Sequence, residues 1–172
     1  MKLKYINIVL IIFFSFFIKL NAAENISFID IDRIVFESEL GKKIDDKINN
    51  DFKIENEKLV SIEKDLKTKE NDILKQKNIL SEEELNKKIN DFKIEVQNFQ
   101  KKRASINEKF RTLRVTQTNE LLKKLNIILF KFADDKSISI ILRKNDIVLG
   151  KSNLDITDKI LEIFNNEVKS LK

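Results

Sequence analysis

The chain has no cysteine, histidine, tryptophan or proline, and only two glycines in 172 residues. Each absence removes a class of function. Without cysteine there is neither a disulfide nor a thiolate nucleophile, and without histidine there is no imidazole base. The usual zinc-ligand sets disappear with them. Two isolated glycines, Gly41 and Gly150, cannot build a loop that cradles phosphate. Asp30 and Asp32 stand two apart with no third ligand nearby, so turn or capping roles suit them better than a metal site. The sequence therefore offers no catalytic constellation, no cofactor or metal site and no small-molecule substrate. Lack of proline also leaves long helices uninterrupted.

The charged content is high, at 35%, with lysine used throughout. Much of the basic excess lies at the N-terminus. There Lys2 and Lys4 precede a run that is apolar but for Ser15, Ile8 to Ile18, and small residues follow at Ala22 and Ala23. The run is short for a transmembrane helix and suits a signal peptide over residues 1–23, cleaved near Ala22 or Ala23. With its three lysines removed, 30 bases face 28 acids, a net charge of +2. That balance argues against nucleic acid as a partner. The mature chain is expected to be exported.

Residues 26–31, ISFIDI, alternate like a strand. Asp32 is a candidate N-cap for the short helix RIVFESE, and a long helical region begins near Gly41. From Ile48, alternate steps of four and three mark a seam: Phe52, Glu55, Leu59, Ile62, Leu66, Lys69, Ile73, Gln76 and Leu80. Ser81 and Glu84 then form a capping box, which starts a second helix. Its seam holds Leu85, Ile89, Phe92, Val96, Phe99, Arg103, Ile106, Phe110 and Leu113. Two such helices fold back most simply as an antiparallel coiled-coil hairpin, assigned to residues 44–134. An arm of 40 to 50 residues per helix would be about 60 Å long or more.

The pattern then returns to strands. SISIILR, KND and IVLG read as a strand, a tight turn and a short returning strand ending at Gly150. Asp155 is a candidate N-cap for a last helix with Ile156, Ile160, Phe164 and Val168 on its apolar face. The fold class is α+β and mainly α. Residues 24–43 and 135–172 would form a β-rich body of about 60 residues, marginal as an independent core. Its open strand edges need cover. Strands from several chains closing a shared barrel would supply it, with Phe28, Ile29, Ile31, Ile138, Ile140, Leu142, Ile147 and Leu149 as the assembling residues. Gly41 is read as the hinge between body and arm, at a step that asks for backbone angles other residues resist.

One charge cluster stands out, KKRASINEKFRTLR. Lys101, Lys102, Arg103, Arg111 and Arg114, with Phe99, Ile106 and Phe110, form a candidate surface for binding unfolded chains through weak, many-point contacts. The plainer reading is the solvated side of a coiled coil.

Three segments resemble the Skp/OmpH family of periplasmic chaperones. FIDIDRIVFESELGKK looks like the family's opening strand, turn, short helix and glycine-lysine step, with Asp30, Glu37, Ser38, Gly41 and Lys42 in place. The basic stretch around Arg103 is similar to its second arm helix. SIILRKNDIVLGKSNLDITDKIL resembles its closing hairpin, with Asp155, Ile156 and Thr157 as the signature. The resemblance implies a jellyfish-shaped homotrimer with a shared β-barrel body and three helical arms. It implies an ATP-independent holdase that keeps unfolded outer-membrane β-barrel proteins from aggregating in transit. The tip around KQKNILSEEE mixes Lys75 and Lys77 with Glu82, Glu83 and Glu84, so a transient membrane-surface contact stays open. The alternative function is a structural or adaptor coiled coil of the envelope with one fixed partner.

Overall fold

A computed structural model describes residues 25–171. The segment read as a signal peptide lies outside the described residues.

Strand β1 (Ile26–Ile29) leads into a short helix α1 (Ile31–Glu37) and two long helices, α2 (Glu39–Gln76) and α3 (Glu82–Asp135). Strand β2 (Ile140–Arg143) follows, then two single 3-10 turns and the last helix α4 (Thr157–Glu167). The long helices stay intact because neither holds an interior proline, and each heptad seam keeps its apolar stripe on one side.

Local chemistry sets most of the boundaries. Ser81 and Glu84 make the reciprocal capping box at the start of α3. The Glu84 carboxyl lies below its usual range because the Ser81 hydroxyl and backbone both donate to it. The N-cap of α1 is Asp30, whose Oδ1 accepts from the Arg33 amide at 3.0 Å. This corrects the assignment to Asp32, which lies inside the first turn and accepts from Asn145 instead. A cap must precede the helix with extended backbone, and Asp30 has φ −88° and ψ 93°.

The step into the long helix falls at Ser38, three residues before Gly41. Ser38 is extended, its amide closes α1 on Ile34, and its hydroxyl caps α2 at the Gly41 amide. Gly41 has no left-handed backbone, which corrects the conformational reason first given for it. Space is what it supplies. A Cβ there would lie 1.9 Å from the Val35 carbonyl oxygen, so the last turn of α1 and the first of α2 can meet only over a glycine.

The sheet is a parallel pair, with Ile26 opposite Ile140, Phe28 opposite Leu142 and Ile29 opposite Arg143. The whole helix pair serves as the crossover that parallel strands require. The expected returning strand at residues 147–150 is absent. Lys144–Asp146 forms a 3-10 turn, and Ile147–Gly150 carries no ladder among the described residues. The second edge of β1 is taken instead by Asp155, which bridges Phe28, and by Ile156, whose amide donates to the Phe28 carbonyl at 2.9 Å.

One core gathers both ends of the described chain: Ile29 from β1, Ile34 and Val35 from α1, Leu40, Leu121, Leu125 and Ile128 from the helix roots, and Ile160 and Phe164 from α4. The apolar face expected of the last helix is all buried, including Ile156 and Val168 just outside its ends. A second core runs between α2 and α3.

Candidate functional site

The surface of interest starts with the seam of the helix pair. Ile48, Leu59 and Leu66 from α2 bury against Phe99, Ile106 and Phe110 from α3. Phe52 meets Phe110 edge-on, with ring centroids 5.3 Å apart at 77°. Polar links place the helices antiparallel: Arg114 to Asn49 near the root, then Lys69 to Glu95 and Lys88 to Gln76 toward the tip.

This arrangement divides the predicted binding cluster. Phe99, Ile106 and Phe110 point into the seam and are buried, so they hold the two helices together. That corrects their placement on an exposed contact surface; heptad periodicity turns these positions toward the partner helix. Lys101, Lys102, Arg103, Arg111 and Arg114 remain exposed. Arg111 pairs with Glu108 at 3.3 Å. Lys101, Lys102 and Arg103 have no ion-pair partner among the described residues. Glu55, a polar position of the α2 seam, senses this field. The hydrogen bond from Lys58 holds its carboxyl below the usual range against a burial effect, and the charges of Lys58, Lys109 and Lys102 add to the lowering.

Exposed aliphatic side chains lie on the same helix pair. Ile54, Val60 and Leu74 on α2, with Ile94 and Val115 on α3, are each more than half exposed. The sequence reading missed them, although the signal was present: they are apolar residues off the heptad seam. They are spread along both helices, and Ile127 and Phe130, one turn apart near the body end of α3, are exposed as well.

The body presents a second surface. Ile29 is buried in the core and Ile31 packs against it half-buried, whereas Ile140 and Leu142 are exposed on the far face of the sheet. Ile141 is the β2 residue that packs inward. Phe28 is buried beneath the segment that follows the 3-10 turn, where a Cβ at Gly150 would lie 2.8 Å from its ring. Ile138 and Ile147 are half-buried, and Val148 and Leu149 are almost wholly in solvent.

A polar lock holds the two ends of this body together. The Asp155 carboxylate accepts from the Thr157 amide and hydroxyl and from Lys144 at 3.0 Å. The Asp30 amide donates to the Thr157 hydroxyl oxygen at 2.9 Å. Asp155 is thus no simple N-cap: α4 begins at Thr157, and Asp155 bonds across two residues as an Asx turn. Burial raises its carboxyl, but the hydrogen bonds from Thr157 and Lys144 outweigh that and leave it below the usual aspartate range. Among the described residues no group of three or more acidic side chains could hold a metal ion. No described helix is long and apolar enough to cross a membrane.

The family model of the OmpH-like outer membrane proteins matches residues 25–164. The chain belongs to the OmpH-like family. The match takes in β1, both long helices, β2 and most of α4, so the family pattern extends over the body as well as the helix pair. A solved OmpH-like structure from Caulobacter crescentus CB15, described as that of a candidate outer membrane chaperone, is similar in fold. The TM-score is 0.78 at 16% identity, over 88% of this chain and 89% of that one. Identity that low speaks for the fold alone. A comparison with curated proteins found no match.

Proposed function

We propose that this OmpH-like protein is an ATP-independent periplasmic holdase that binds unfolded outer-membrane β-barrel proteins as a homotrimer and prevents their aggregation. The observation that carries the reading is the surface of the helix pair. It mixes Lys101, Lys102 and Arg103, cations with no ion-pair partner among the described residues, with exposed aliphatic side chains spread along both helices. Such a surface suits many weak contacts that together give avidity while the bound chain stays mobile. A continuous apolar patch would instead suit one fixed partner.

The trimer belongs to the same proposal. The sheet has two strands among the described residues; its outer face exposes Ile140 and Leu142, and Val148 and Leu149 also lie in solvent, apolar surface that soluble proteins normally cover. Closing three such bodies around that face would bury it and would give Ile147–Gly150 a strand partner. In this reading residues 24–43 and 135–172 are the assembling body, residues 44–134 the arm, and the close-packed Ser38–Gly41 joint the junction between them.

The test is light scattering of an outer-membrane barrel protein diluted from denaturant. Suppression at about one trimer per client is expected from avid many-point binding, with loss on truncating residues 52–110. Unchanged aggregation would sink the reading. Recovery of one stoichiometric partner, in place of many barrel precursors, would favour an adaptor.

A further inference from the structure

The helix pair is not packed evenly along its length. All six buried residues of its seam lie at or below Leu66 on α2 and Phe99 on α3. Toward the tip, residues 67–98 contain no buried side chain. Ile73, Leu85, Ile89 and Phe92 hold the seam positions there but are only half-buried. Grooves of about 270 Å³ flank Ile73 and Phe92 on both sides, one lined also by Leu74 and Leu85 and the other by Gln76 and Lys88.

Polar residues occupy the seam where leucines would close those gaps. Lys69 reaches out to both Glu95 oxygens at 2.7 Å, and Gln76 accepts from Lys88 at 2.7 Å. These links are exposed, and exposed pairs contribute little because water competes and side-chain order is lost. Segments with few buried contacts and solvent-exposed hydrogen bonds open locally at low cost.

From this we infer that the helix pair is built in two parts: a zipped root, residues 48–66 with 99–113, and a distal part, residues 69–92, that opens separately. Lys69 and Gln76 are the residues that keep the distal seam loose. Opening uncovers Ile73, Leu85, Ile89 and Phe92, four apolar side chains that the closed pair half hides. Resting on the holdase reading, these become the variable part of the surface offered to an unfolded chain. The arm thereby widens for a large client without loosening its root.

Hydrogen exchange followed by mass spectrometry on the full assembled protein, without any client, tests the opening. Amides of residues 69–92 are expected to exchange at least about tenfold faster than those of the root. Equal protection along the arm would overturn the inference. The double substitution K69L/Q76L makes the seam apolar from Leu66 to Leu80 and should bring distal protection close to that of the root. Fast distal exchange in that variant would also overturn it, since the polar seam would not be the cause. Light scattering then separates the two readings. If the wild type holds clients, K69L/Q76L should hold large ones less well, and equal capacity would remove the role given to opening. If neither protein holds clients, the holdase reading fails while the exchange result stands on its own.

Discussion

The carbonyl oxygen of Val35 lies so close to Gly41 that a Cβ on the glycine would fall 1.9 Å from it. The contact joins the end of α1 to the start of α2, and its rigid partner is backbone. Gly41→Ala should therefore destabilise the body by about 1–3 kcal/mol, as overpacking does in a close-packed site. Thermal unfolding followed by circular dichroism would measure it. A neutral alanine would show that α1 can shift freely, and the joint would not be rigid.

Ser38 supports the same joint by a different means. It is fully buried and serves as cap for both helices, so Ser38→Ala should cost about 1 kcal/mol through the lost α2 cap. The two substitutions touch one site, so their effects should not add. A double-mutant cycle with additive costs would separate the cap from the close contact.

Val148 and Leu149 are exposed in the single chain and contribute nothing to its core. In the trimer reading, Val148→Asp with Leu149→Asp should dissociate the assembly while leaving the helical circular dichroism of the chain largely intact. Analytical ultracentrifugation decides between the outcomes. A variant that stays trimeric would move the interface to another face.

Asp155 ties Thr157 and Lys144 together, and its carboxyl lies below its unfolded value. The sign follows from that depression. Its contribution is complete above the unfolded pKa of about 3.9 and is lost as pH falls through the lower folded value. Asp155→Asn should lower the melting temperature at neutral pH, and the gap to wild type should narrow steadily as pH falls below the unfolded value of about 3.9. A gap that persists at low pH would mean that the carboxylate charge is not what stabilises the lock.

The basic and apolar members of the predicted cluster should now behave differently. Charge reversal of Lys101, Lys102 and Arg103 to Glu should weaken client holding and its salt dependence, with little change in melting, because these side chains are exposed. Phe99→Ala should instead loosen the helix pair by about 3–5 kcal/mol, since Phe99 is buried in the seam. Light scattering beside thermal melts separates the two effects. Equal loss of stability in both variants would remove the distinction.

Sequence determined what short-range rules govern. Ser81 and Glu84 fixed the start of α3 because a capping box is complete within four residues. The heptads fixed which residues enter the seam, because helix geometry alone turns positions three and four apart to one side. Ile156, Ile160, Phe164 and Val168 were legible as a buried face for the same reason. Tertiary structure decided what depends on residues far apart in the chain. The parallel pairing of Ile26 with Ile140, and the capture of the second β1 edge by Ile156, join positions over 110 residues apart. No local pattern encodes such a choice. It also decided why Gly41 is a glycine, since the Val35 carbonyl approaches it only once α1 folds back on α2. The sequence named the glycine, and the packing around it supplied the reason.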